Sequence, residues 1–159
     1  MDVIDKAQLV ALTREAQGNE RKRKNLNLHD GASDLMQRML NAFEPETYVR
    51  PHKHINPDKR EVFVILTGKL LVLFFNDEGE IIKHVILNRE QGVYGVEIEP
   101  NEWHTATGLS EGTVVYEIKD GPYIQAEDKN FAEWAPSEGS EEASQCVKNW
   151  LNQLGISLL

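Results

Sequence analysis

Apolar positions follow different periods in different parts of the chain. Near the start, Val3, Ile4, Ala7, Val10 and Ala11 recur at helical spacing, with Asp2 placed to cap and Gly18 to terminate. They predict an N-terminal helix over roughly residues 3–17. From residue 61 onward the runs shorten and fill with β-branched and aromatic residues: Glu61–Leu66, Leu70–Phe75, Ile81–Leu87, Val93–Ile98 and Thr113–Ile118. Turn signals at Thr67-Gly68, at Asn76–Gly79 and near Gly108 and Gly112 separate them. Short strands with turns about every ten residues predict a β-sandwich or barrel rather than βαβ units. Near the end, Ala143, Val147, Trp150, Leu151 and Leu154 line one helical face, with Ser140 before them and Gly155 after. A second helix is expected there.

Three stretches are less one-sided. Leu35, Met36, Met39, Leu40 and Phe43 fit a helical face, yet Pro45 and an extended run, Tyr48–His54, follow at hairpin distance. Gln37–Phe43 therefore also suits a first strand. Arg21–Lys24 reads as a solvated connector, or as the border of a pocket in which Arg21 or Arg23, with Asn25, Asn27 and His29, draws in an anionic ligand. Residues 120–142 hold Asp120, Glu127, Asp128, Glu133, Glu138, Glu141 and Glu142 against the single base Lys129. Phe131, Trp134 and Pro136 among them suggest a strap that packs its aromatics on the barrel.

Composition narrows the field. A chain of 159 residues, 40% hydrophobic and 27% charged, suits one globular domain. No apolar run approaches the ~20 residues that span a bilayer, so no membrane partner is expected. The opening residues lack a secretory pattern, and the cytoplasm is the expected location. Cys146 is the single cysteine, which excludes an internal disulfide and leaves any metal to nitrogen and oxygen ligands. A net charge of −9 argues against nucleic acid.

The candidate chemistry lies in the stretch from His52 to His104, which holds four of the five histidines, three of them (His52, His54 and His104) at the ends of strand-like runs. On a strand, His52 and His54 share a face, about 7 Å apart along the chain, and can reach one ion. A hairpin-type connection through Asn56–Lys59 would return Glu61 beside them, and His104 arrives from another strand end after Pro100-Asn101. Three imidazoles and one carboxylate suit one divalent transition metal (Fe, Mn, Ni, Zn or Co), with positions left for a ligand. By parity Tyr48 and Arg50 share the histidines' face. Arg50 suits an anionic group on a ligand, or else pairs with Glu97 or Glu117. Phe63 and Ile65 would form an apolar wall, Tyr116 and Tyr123 are candidate hydrogen-bond donors, and His29 could cover the pocket. Trp103 faces away from His104 and packs, His84 faces solvent, and Cys146 packs beside the last helix.

The segments PHKH, Glu61, Gly68 and PNEWH resemble the two signature motifs of the cupin superfamily. That resemblance implies a mainly β fold: a single cupin domain, a double-stranded β-helix or jelly-roll barrel, with flanking N- and C-terminal helices. It also implies a strand for Gln37–Phe43. The expected division is a helix within 1–20, a barrel over 25–119, a strap over 120–139 and a helix over 140–155. The further segments NLNLH, QRMLNAF, TYVRPHKH, VFVILTGKL, GVEIEPNEWHT, GPY and DKNFAEWAPSE look like the WbuC family of cupin-fold metalloproteins, across roughly residues 21–139. Carried over by position, that family's metal site falls on His52, His54, Glu61 and His104. Two departures stand out. The gap from His54 to Glu61 is longer than in the general motif, and Asn101 takes a place usually held by Gly, where Asn tolerates the left-handed turn.

The resemblance implies a bacterial metalloprotein that acts on or binds a small polar, sugar-derived metabolite in surface-polysaccharide (O-antigen) biosynthesis; a homodimer would be in keeping. Two alternatives stay open: a metal-independent sugar-nucleotide ketoisomerase or epimerase using a His base and a Tyr acid, and a non-catalytic binding module with a structural metal. The sequence assigns no catalytic residue.

Overall fold

The computed structural model describes residues 3–125 and 129–158. Asp2, and Glu127 and Asp128 of the acidic stretch, lie outside the described residues. Helix α1 spans Lys6–Gln17, and Asp5 caps it by accepting from the Gln8 amide; Gly18 ends it. Ten strands follow: β1 (Arg23–Asn27), β2 (Met36–Phe43), β3 (His52–Lys53), β4 (Glu61–Thr67), β5 (Lys69–Phe75), β6 (Ile81–Asn88), β7 (Gly95–Ile98), β8 (Trp103–Gly108), β9 (Thr113–Asp120) and β10 (Asn130–Phe131). Helix α2, Glu141–Leu154, closes at Gly155 in the left-handed conformation. All strand pairs are antiparallel, in two five-stranded sheets ordered β1-β2-β9-β4-β7 and β10-β3-β8-β5-β6.

Gln37–Phe43 is thus a strand, although its side chains fit a helical face equally well. Pairing decides the matter, because β2 is bonded along its length to β9 on one side and β1 on the other. The first strand β1 comes from the arginine and asparagine run, and β8 and β10 add to the predicted set. These three escape a hydrophobicity reading because β1 is polar, β8 (WHTATG) is mostly small and polar, and β10 has two residues.

Both sheets are covered on both faces. Between them lie Phe43, Phe63, Ile65, Leu70, Val72, Phe74, Ile98 and Val115. Outside the first sheet, α1 places Leu12 and Ala16 on Leu40, Ala42 and Val114. Outside the second, α2 and the strap cover Leu71, Leu73 and Phe75 with Ala143, Val147, Leu151 and Trp134. Strand β5 is therefore buried on both sides, which is why LLVLFF shows no alternation. Trp103 packs in this outer layer, and its indole N–H donates to Asp77. Cys146 is half-buried there, and His84 is exposed. Of the strap aromatics, Trp134 packs against Phe75 and Trp103, while Phe131 lies near His52.

Gly108, at the end of β8, shows why a side chain is excluded there. A Cβ would overlap the Phe43 carbonyl oxygen and press on that of Glu44.

Candidate metal centre

Sheet pairing builds the cluster. His52 on β3 is paired directly with His104 on β8, and their rings lie 4.4 Å apart between centroids. His54 follows just beyond β3, its ring 5.1 Å from His52 and 5.4 Å from His104. The turn after β7 holds this end in place: Asn101 takes the left-handed conformation (φ 67°), and its amide donates to the His54 carbonyl.

Glu61 reaches the histidines differently from the sequence expectation. Strands β3 and β4 do not form a hairpin, because they belong to different sheets. The segment between them crosses the barrel, and Glu61 meets the histidines from the opposite sheet. Its Oε2 lies 3.0 Å from His54 Nε2 and 3.2 Å from His104 Nε2. One ligand atom from each of His52, His54, Glu61 and His104 falls within 4.8 Å of every other, and all four residues are buried.

The donor set fits a divalent transition ion. Two ligand atoms about 2.1 Å from one ion, at roughly tetrahedral or octahedral angles, stand about 3.0–3.4 Å apart. The two Glu61 separations match that spacing. The outer contacts fit as well. A carbonyl oxygen can only accept, so His52 Nδ1–H donates to Arg50 O (2.9 Å) and His104 Nδ1–H to Glu102 O (2.8 Å). Each leaves Nε2 for the cluster, the arrangement that orients metal-bound imidazoles. Burial keeps His52 well below the ordinary histidine range, aided by the nearby positive charge of Lys129 and by His104, so it stays a neutral donor. Burial opposes charge on Glu61, but its close contacts with the His104 and His54 rings outweigh it and hold the carboxyl well below its usual range.

A cavity of about 930 Å³ opens from the cluster. Its composition follows strand parity. Arg23, Asn25 and Asn27 share one face of β1, with Arg21 and His29 continuing the alternation at either end, and all five line the cavity. Gln37, Met39, Asn41 and Phe43 do the same on β2, Glu117 and Lys119 on β9, and Glu61 and Phe63 on β4. Arg21, Arg23, Asn25, Asn27 and His29 thus border the cavity, while Arg21, Lys22 and Lys24 of the basic run are also solvent-exposed. Burial first, and the neighbouring Glu61 charge second, push the Glu117 carboxyl well above its usual range, and Asn41 donates to it. Parity could have flagged Glu117 and Lys119 in the sequence, since they alternate with the apolar Val114, Tyr116 and Ile118.

His29, Arg50, Phe63 and Tyr123 lie on the cavity wall. Arg50 is held by the Ala132 carbonyl (2.7 and 3.1 Å) and by the Phe131 ring rather than by Glu97 or Glu117. Ile65 lies in the apolar core between the sheets, away from the cavity lining. Tyr48 and Tyr116 require correction. Regular strand geometry covers only His52–Lys53, so the parity argument does not extend back to Tyr48. Its ring stacks on Trp150 of α2, and its hydroxyl donates to Pro136 O. Tyr116, one step out of phase with Glu117 on β9, faces α1. Glu138 ties the strap to the cavity rim, accepting from Arg23 (2.6 Å) and Arg21 (3.1 Å).

Comparison with known proteins fits this geometry. A protein from Klebsiella pneumoniae, described as having a double-stranded β-helix domain, superposes with a TM-score of 0.54 at 11% identity, over 84% of this chain and 98% of its own. The Thermus thermophilus protein TT1209 gives 0.52 at 14% identity, over 76% and 97%. The Staphylococcus aureus capsular polysaccharide assembling protein CapF gives 0.54 at 20% identity, over 69% of this chain but 32% of its own. No curated protein matches the sequence. No helix among the described residues is long and apolar enough to cross a membrane. The barrel shares the fold of these neighbours, a double-stranded β-helix, and residues 4–87, more than half of the chain, match the family model described as a domain of unknown function, DUF6016, so the chain belongs to that family.

Proposed function

We propose that this protein is a metal-binding cupin that binds or acts on a small, polar, sugar-derived metabolite in bacterial surface-polysaccharide biosynthesis, as its WbuC-like motifs imply. The observation that carries the reading is the convergence of four buried ligand residues, His52, His54, Glu61 and His104, at the floor of an open cavity. CapF, whose name refers to capsular polysaccharide assembly, has a barrel of the same fold, in keeping with such a role.

In this reading the three imidazoles and Glu61 hold one divalent ion, which when bound supplies a Lewis acid able to polarise a carbonyl or hydroxyl oxygen. The chain's own residues do the rest. The Arg50 and Glu102 carbonyls keep His52 and His104 in the Nδ1–H form and aim each Nε2 inward. Phe63, Val49 and Ala106 give the cavity an apolar side, against which a sugar ring can lie. Asn25, Asn27 and Asn41 offer amides that match hydroxyls as donors and acceptors. Glu117, favoured in its protonated form, holds a proton beside Glu61.

Elemental analysis of the purified protein beside its His52→Ala and His104→Ala variants tests the reading. One transition metal per chain, lost in both variants while the circular dichroism spectrum persists, is the expected result. Wild-type protein that stays metal-free after reconstitution would sink it.

A further inference from the structure

The cavity carries more positive charge than its chemistry so far requires. Five of the chain's 17 lysines and arginines line it, in a protein whose net charge is −9. Four of the five are engaged: Arg21 and Arg23 hold Glu138, Arg50 holds the Ala132 carbonyl, and Lys119 lies over the Tyr123 ring. Lys129 differs. It lies in the strap directly before β10, whose pairing of Phe131 with His52 places this stretch over the metal cluster. Lys129 lines the cavity, yet among the described residues it makes no hydrogen bond or ion pair. Of the two carboxylates that act on its charge, Glu61 lies against His54 and His104, and Glu117 accepts from Asn41. A half-buried ammonium with no direct ion pair among the described residues is costly, and the cost falls when an anion arrives. A divalent ion in the cluster would deepen the positive field.

The geometry points to an acidic ligand: a polyhydroxy compound, a sugar bearing a carboxylate or a phosphate, whose acid group lies against Lys129 while its hydroxyls meet Asn25, Asn27 and Asn41. This deepens the sugar-metabolite reading and rests on it for the size and polarity of the ligand. Lys129 is here a binding residue that selects by charge. The strap therefore contributes specificity as well as cover, and the ion pairs of Arg21 and Arg23 with Glu138 keep the strap in register for it.

Calorimetric titration of the full-length protein with glucose, glucuronate and glucose 6-phosphate provides the test, on wild type, Lys129→Gln and Lys129→Arg, with metal content measured on each sample. The expected result is that at least one acid binds about ten-fold or more tightly than glucose. Lys129→Gln removes that preference, Lys129→Arg keeps it, and all three proteins hold metal equally. Which acid binds better assigns the group to the carboxylate or the phosphate class. Equal binding of all three sugars, a preference that survives in Lys129→Gln, or no binding of either acid at millimolar concentration overturns the inference. A preference for the acid in protein that holds no metal supports the inference and takes down the metal reading alone.

Discussion

The two sheets face the same interior but fill it with opposite chemistry. The β10-β3-β8-β5-β6 sheet is apolar on both faces along β5, and its polar contribution is concentrated in three histidines at one end. The β1-β2-β9-β4-β7 sheet sends Phe63, Ile65 and Val115 into the shared core, yet lines the other end with arginine, asparagine, glutamate and lysine. Apolar contacts need only fill space, so the packed end is complete as it stands. Buried polar groups need specific partners, and at the cavity end the imidazoles, Glu61, Glu117 and Asn41 hold one another around an open space. Stability and function are thereby placed at opposite ends of one barrel.

That division can be broken most sharply at Glu61, the polar sheet's one contribution to the cluster. Glu61→Gln should lower metal affinity by more than about 100-fold, exceeding the 10–100-fold typical of outer contacts. Competition against a chelator reads the change, and near-wild-type affinity would show that the three histidines suffice. The apolar end responds in the other currency. Leu73→Ala, buried between β5's neighbours and α2, should cost about 2–5 kcal/mol in urea unfolding while the folded protein keeps its metal stoichiometry.

Acidity separates the two ends in the metal-free protein. His52 has a folded-state pKa far below the 6.5 of the unfolded chain, so the unfolded state takes up a proton first. Its contribution is present above pH 6.5 and is lost as pH falls from there through the folded pKa, and Glu61 repeats the pattern below 4.5. Glu117, shifted upward, acts oppositely: its contribution is present below 4.5 and is lost as pH rises through the folded pKa. Urea midpoints measured across pH should therefore fall on the acid side, at a slope of about 1.4 kcal/mol per pH unit for each proton linked. Glu117→Gln should remove the loss on the alkaline side. A flat acid limb would contradict the neutral, buried state of His52. The smallest effect belongs to His84→Ala: exposed on β6, it should leave metal content unchanged and stability within about 0.5 kcal/mol.

Much of this was legible in the residues. The dense strands from Glu61 to Ile118 announce themselves through β-branched and aromatic content, and both helices through spacing and the glycines that end them, Gly18 and Gly155, whereas Asp5 caps α1 and Ser140 makes no side-chain cap. The HxH pair, Glu61 and His104 are recognisable because imidazoles at strand ends beside Pro turns have few other uses. Less legible were the strands whose inward side chains are polar. Arg21–Lys24 looks like a solvated connector because hydrophobicity marks the core, yet a polar strand begins within it at Arg23 and lines the cavity. Tyr48 misled for the opposite reason: parity was extended through a segment that is not regular strand.

The sequence by itself determined the two helices and the apolar strands, the ligand chemistry open to a chain with one cysteine, and the residues able to hold a metal, since these depend on local propensity and side-chain identity. Only the tertiary structure decided that Glu61 meets the histidines from the facing sheet, that Tyr48 and Tyr116 turn outward, and that a polar first strand and Lys129 share one cavity. Those facts depend on which strands pair and on which side each pleat presents. Such long-range choices are made by the whole chain as it closes a barrel around its apolar end.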